Sequence, residues 1–144
     1  MLESGVYQKD KVDVTKIMSE IQAESSSGDV GAIATFLGVV KKTGAGDKEV
    51  VGIEVDSYVE HASLVIQKIC REVRDKYTLE FVHIFHLMGS FTVGELLVFV
   101  AVGGKTRGLV FPALQEAVER YKREPALFKK EIYIDSSHKW ISHA

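Results

Sequence analysis

Three short segments of this sequence carry the side chains best suited to chemistry, and all three are basic. The first is Tyr121-Lys122-Arg123-Glu124-Pro125-Ala126-Leu127-Phe128-Lys129-Lys130-Glu131. Pro125 breaks a helix, so the chain can turn between Lys122 and Lys129 and bring both ammonium groups toward one pocket. Two cations held close disfavour charge on both, which is one route to a neutral amine. The plainer reading is that lysines at a helix C-terminus complement its dipole, and composition alone favours that one. The second segment is Gly103-Gly104-Lys105-Thr106-Arg107-Gly108, which follows an apolar run and opens a helical pattern. Free N–H groups and the positive end of a helix dipole favour a small phosphate or carboxylate there. The alternative is a solvated turn with Thr106 as the cap. Its Gly-Lys-Thr is not a nucleotide-binding P-loop, because that motif needs a glycine where Phe99 stands. The third segment is Lys41-Lys42, at the end of a run of small, β-branched and aromatic residues.

The remaining reactive types are less informative. The histidines are His61, His83, His86, His138 and His143, and no pair has the i, i+4 spacing of helical metal ligands. His83 and His86 lie three apart on a strand pattern and so face opposite sides, one toward the core and one toward solvent. His138 and His143 are expected at the surface, and no metal site is expected. Cys70, the single cysteine, falls on the apolar side of a helix and reads as a small buried hydrophobe.

The elements that must position these groups follow from periodicity. Asp13 is placed to cap a helix whose Val14, Ile17, Met18 and Ile21 share one face. Gly31 to Val40 reads as a mostly buried strand, with Gly38 marking a bulge or a close backbone approach. Thr43 to Glu49 is a glycine-rich, flexible tip. Val50 to Tyr58 alternates Val51, Ile53 and Val55 against Gly52, Glu54 and Asp56, as a half-exposed strand does. Val59 to Lys76 is a helix with an apolar stripe of Ala62, Val65, Ile66, Ile69 and Val73. Leu79 to Met88 is a strand, Gly89 to Gly94 its turn, and Val93 to Val102 a central strand covered on both faces. A helix over Leu109 to Arg123 places Pro112 in its first turn and buries Phe111, Leu114, Val118 and Tyr121. Lys129 to Ile134 and His138 to Ile141 are short strand pieces. This order predicts an α+β fold with a mostly antiparallel sheet and flanking helices.

Composition sets outer bounds. The 144 residues suit one domain, and 46% hydrophobic with 26% charged residues excludes bulk disorder. Eighteen Lys and Arg against twenty Asp and Glu leave a net charge of −2, which argues against a broad nucleic-acid or acidic-membrane surface. No apolar run approaches the ~18 residues of a membrane span. A cytoplasmic protein is expected.

Taken together, these segments resemble the large, catalytic subunit of molybdopterin synthase. Gly31-Ala32-Ile33-Ala34-Thr35-Phe36-Leu37-Gly38-Val39-Val40-Lys41 is similar to that family's opening strand. Val82-His83-Ile84-Phe85-His86, with Gly89 and Val93-Gly94-Glu95, resembles its "I-x-H-R-x-G-x-L-x-x-G-E" segment. Lys122, Pro125, Phe128-Lys129-Lys130-Glu131 and a late Trp140 complete the ordered set.

The resemblance implies an α/β-hammerhead fold and a homodimer. Each copy would bind a small ubiquitin-like subunit whose C-terminal Gly-Gly tail carries a thiocarboxylate. The enzyme would transfer two sulfurs to cyclic pyranopterin monophosphate, forming the molybdopterin dithiolene without a metal or cofactor of its own. Lys122 and Lys129 take the positions of the family's two essential lysines. Val39, Val40, Lys41, Thr106, Arg107, Lys130 and Glu131 take substrate-binding positions, and Phe36 lines the tail channel. The chain departs from the pattern at three points. Lys41 replaces an arginine and gives up its bidentate geometry. Thr106 replaces a histidine, and Leu87 replaces the arginine of a His-Arg pair. These departures leave an alternative: a non-catalytic module that binds an anionic metabolite or a Gly-Gly tail.

Overall fold

In the computed structural model, which describes residues 1–141, seven strands and three helices follow one another. They are β1 (Gly5–Gln8), α1 (Val14–Glu24), β2 (Ala32–Val39), β3 (Val50–Ser57), α2 (Val59–Tyr77), β4 (Phe81–Thr92), β5 (Leu96–Gly104), α3 (Arg107–Arg123), β6 (Leu127–Tyr133) and β7 (His138–Ile141). The sheet runs β2-β5-β4-β3-β6-β7, with β1 added beside β4. All pairs are antiparallel except β1 with β4. The fold is therefore α+β with a mostly antiparallel sheet, as the sequence predicts. Among the described residues no helix is long and apolar enough to cross a membrane; His143 lies outside them.

The long strand β4 joins two smaller sheets. Phe81 to His86 pair with β5, while Gly89 to Thr92 pair with β3. Gly89 sits at the changeover with φ +123, a conformation closed to most side chains. The expected turn at Gly89–Gly94 is thus mostly strand, and the chain reverses only between Thr92 and Leu96.

Alternation along β4 and β5 separates two cores. Val82 and Ile84 of β4, with Val98, Val100 and Val102 of β5, face α2 and α3. Phe81, Phe85, Phe99 and Ala101 face α1 through Ile17 and Ile21. Both faces of β5 are covered, as its unbroken apolar run requires. A third cluster of Val40, Val50, Ile53, Val55, Leu87, Phe91, Leu97 and Tyr133 fills the other half of the sheet.

Most of the predicted helix positions hold. Asp13 caps α1, its carboxylate accepting from Lys16 N–H, and the α2 stripe buries Ala62, Ile66, Ile69 and Val73 together with Cys70. Burial raises the Cys70 thiol to about 11, the behaviour of a small hydrophobe. Of the two strand histidines, His86 is the core-facing one, whereas His83 is not simply solvated. It stacks between Phe81 and Phe85 and meets Glu24 at 3.3 Å.

Four expectations are corrected. The strand β1 was not anticipated: four residues are too few to show a period. β2 is half exposed rather than mostly buried, because it is an edge strand and its Ile33, Leu37 and Val39 point to its exposed face. Val51 points outward because the register slips between Val50 and Gly52, so Val50 takes the interior position instead. The helix α3 begins at Arg107, two residues early, which puts Pro112 in its second turn. Its buried stripe becomes Val110, Ala113, Ala117 and Tyr121, and Phe111 is exposed.

Candidate active site

Where the two smaller sheets meet, the end of β2, the C-terminal end of α3 and one face of β6 enclose a cleft of about 250 Å³. Its wall holds Phe36, Gly38, Val39 and Lys41 from the β2 segment, Tyr121 and Lys122 from α3, and Lys129 and Glu131 from β6. Gly38 lets β2 pass close to the Val98 side chain of β5. A methyl group there would lie 2.6 Å from Val98 Cγ1 and 3.6 Å from the Tyr121 hydroxyl oxygen. The register of β2 against β5 also slips between Gly38 and Val39, so both readings of this glycine hold. Phe36 packs against Tyr121 with ring centroids 6.5 Å apart.

The proline turn brings Lys122 and Lys129 to one cleft. α3 ends at Arg123, Pro125 is buried, and Leu127 N–H bonds back to the Pro125 carbonyl before β6 begins. Alternation on β6 then sends Lys129, Glu131 and Tyr133 to the interior face. Lys129 is only 9% exposed, and its neighbours across the pleat are Val55 and Ile141. Burial first, and Lys122 second, lower its ammonium to about 8. Among the described residues no carboxylate lies within ion-pair distance of it. Such an amine gives up and takes back a proton near neutral pH, and while charged it can stabilise a developing anion.

Glu131 has a different task. Its Oε1 accepts from Ala45 N–H at 3.0 Å and from the Tyr133 hydroxyl at 2.8 Å. The glycine-rich segment after Lys42 is therefore anchored to the cleft wall, contrary to the flexible tip expected of it. It closes through a bridge between Thr43 and Glu49, and Gly44 lets it pass close to Glu131 and Val50.

The cleft does not collect every candidate within one chain. Val40 is buried in the third core cluster, and its backbone bonds to Gly94 and Glu95 rather than facing the cleft. Lys130 alternates to the outer face of β6, where its Nζ meets Glu54 Oε2 at 2.8 Å and lies 5.5 Å from the centre of the Trp140 ring. Thr106 and Arg107 stand at the other end of α3. Fifteen residues of helix separate Arg107 from Lys122, about 22 Å along the axis. Thr106 takes the cap position of α3 without a side-chain cap bond. The glycines before it serve packing: a Cβ at Gly103 would meet the Phe81 ring at 2.3 Å, and one at Gly104 would meet Leu79 at 2.8 Å.

Two residues of this region escape sequence reasoning. Tyr121 reads as an ordinary core position of an amphipathic helix, yet it forms part of the cleft wall. His86 lies beneath that wall, its ring edge-on to Tyr121 at 5.7 Å. The only available signal for it was a polar residue in an otherwise apolar strand row.

Comparison with known proteins places this geometry in context. The family described as MoaE protein matches residues 7–124. The molybdopterin synthase catalytic subunit of Bos taurus is 34% identical over 110 residues, covering 76% of this chain and 58% of that protein. The chain spans little more than half the length of the mammalian relatives it matches. Its fold superposes on the crystal structure of molybdopterin synthase from Staphylococcus aureus with a TM-score of 0.84 at 24% identity, over 99% of both chains. It also superposes on a chain of the complex of subunits 1 and 2 of molybdopterin-converting factor from Helicobacter pylori. There the TM-score is 0.71 at 18% identity, over 97% of this chain and 88% of that one.

Proposed function

This chain belongs to the MoaE protein family, and from that premise we propose that it is the catalytic subunit of a cytoplasmic molybdopterin synthase. The proposed reaction transfers sulfur from the C-terminal thiocarboxylate of a small ubiquitin-like subunit to cyclic pyranopterin monophosphate. Two transfers build the dithiolene. The observation that carries the reading is the meeting of Lys122 and Lys129 in one cleft, with Lys129 lowered to about 8.

In this reading the thin Gly-Gly tail enters past Phe36 and Gly38, where the absence of a side chain at Gly38 keeps the passage open. Lys129, poised between its charged and neutral forms, moves protons as sulfur adds to the pterin. Lys122 and Lys41 hold negative charge. Glu131 acts by fixing the wall of the cleft and the segment after Lys42, rather than by touching the phosphate.

Thr106 and Arg107 lie too far along α3 to serve the cleft of their own chain, so their proposed role requires a second copy. A homodimer is supported by β2, an edge strand whose Ile33, Leu37 and Val39 are exposed along one face. Arg107 of one copy would then meet the anionic end of substrate held by the other.

The test is reconstitution. Purified protein is mixed with a thiocarboxylated small subunit and cyclic pyranopterin monophosphate, and the dithiolene product is sought by mass. Product formation supports the synthase. Absence of product with partner binding intact favours the non-catalytic module that binds a tail or an anionic metabolite.

A further inference from the structure

The row of β4 side chains facing α2 and α3 runs Val82, Ile84, His86. The first two are core residues. The third is a histidine with no exposed surface. Its Nδ1 lies 2.9 Å from the Leu87 carbonyl oxygen. A carbonyl can only accept, so Nδ1 carries the proton and Nε2 is left as an acceptor. Among the described residues, that Nε2 is the one buried side-chain nitrogen or oxygen without a hydrogen-bond partner. An unmet buried acceptor is costly, and leucine or phenylalanine would fill an apolar row without that cost.

Protonation does not resolve the matter. Burial, and then the Lys129 amine, hold His86 down to about 3, so at working pH it is a neutral acceptor close to a cation. Lys129 brings up to three donors and has no carboxylate within ion-pair distance among the described residues. Tyr121 is common to both: its ring packs edge-on against His86, with centroids 5.7 Å apart, and it lines the cleft together with Lys129.

We propose that His86 Nε2 is the hydrogen-bond acceptor for the Lys129 amine through one bound water, and so is a positioning residue that fixes this amine in the cleft wall. Its consequence for turnover rests on the reading of the cleft given above. The contact itself does not. A neutral acceptor favours the ammonium over the amine, so His86 offsets part of what burial and Lys122 do to Lys129. The other groups facing Lys129 are Lys122 and Tyr121 from α3, Lys41 beyond β2 and Glu131 on β6. The face of β3 toward it offers only Ile53 and Val55.

The experiment is an NMR titration of the full, unliganded chain with isotope-labelled lysine and histidine. In the wild-type protein the His86 Nε2 resonance should move with the same midpoint as the Lys129 ammonium, about 8. His86→Leu should lower the Lys129 midpoint by about one pH unit. His86→Gln, whose amide oxygen still accepts, should hold it within roughly 0.3 unit of wild type. A His86 resonance that stays flat through the Lys129 titration overturns the proposal, as does an unchanged Lys129 midpoint in a folded His86→Leu protein. If His86→Leu does not fold, the wild-type titration decides alone. No substrate is present, so a failure of sulfur transfer leaves this result standing, and the reverse holds too.

Discussion

On the inner face of β6, Lys129 is buried against Val55 with Lys122 as its nearest charged influence. On the outer face, Lys130 lies directly between Glu54 and Trp140, its partners on β3 and β7, and engages both. The two residues are consecutive and chemically identical. The pleat makes one a weakly basic amine with no counter-ion among the described residues and the other an ordinary paired cation. The inner position is expensive to maintain, and a strongly shifted amine lining a cleft marks a candidate functional group. The outer position is cheap to maintain.

The largest expected contrast is in turnover. Lys129→Met should lower sulfur transfer by about 10²–10⁴-fold, the usual reach of a general acid–base group. Lys130→Met should cost at least tenfold less, measured in the same reconstituted assay. Equal losses would erase the distinction between the two faces.

Stability should change in the opposite sense. The unfolded Lys129 holds its proton up to about 10.5 and the folded one up to about 8. Below pH 8 both states are protonated and the penalty of the buried charge is constant. Between pH 8 and 10.5 the unfolded state binds more protons, so raising pH recovers stability. Lys129→Met should therefore stabilise the protein by about 3 kcal/mol at pH 7. The gain should shrink by pH 10 in urea unfolding. A gain independent of pH would mean that packing, not charge, is responsible.

The same inner face carries Glu131. Glu131→Ala leaves Ala45 N–H and the Tyr133 hydroxyl without their acceptor, at a cost of about 1–3 kcal/mol. The Ala45 amide should show the largest acceleration of hydrogen exchange, localising the loss to the segment after Lys42. The smallest effect belongs to the outer face. Glu54→Gln breaks the exposed pair with Lys130 and should cost under about 1 kcal/mol, a difference that vanishes in high salt.

Much of the scaffold was legible because its signals are local. The stripe of α2 and the Asp13 cap depend on residues a few positions apart, and they hold. So does the reading of Gly38, where bulge and close approach coincide. The misreadings share a different cause. Ile33, Leu37 and Val39 are as apolar as any core strand, yet among the described residues no element covers their face, and hydrophobicity alone does not distinguish an uncovered face from a filled one. Phe111 turned outward because the face of α3 packed on the sheet is the stripe Val110, Ala113, Ala117 and Tyr121, rotated by about one residue from the predicted one. Val51 turned outward through a single slip in register against β6.

The site divides in the same way. From the sequence, Pro125 allowed Lys122 and Lys129 to turn toward one pocket, although composition alone favoured the plainer reading, and a strand was expected from Lys129 onward. Those are properties of neighbouring residues, which a chain carries wherever it folds. Only the tertiary structure decided which face is the inner one. It also decided that Arg107 lies about 22 Å down its helix from Lys122, and that His86, 43 residues earlier in the chain than Lys129, lies close enough to feel its charge. Burial and electrostatic fields are sums over everything nearby, and in a sheet what is nearby comes from distant parts of the chain.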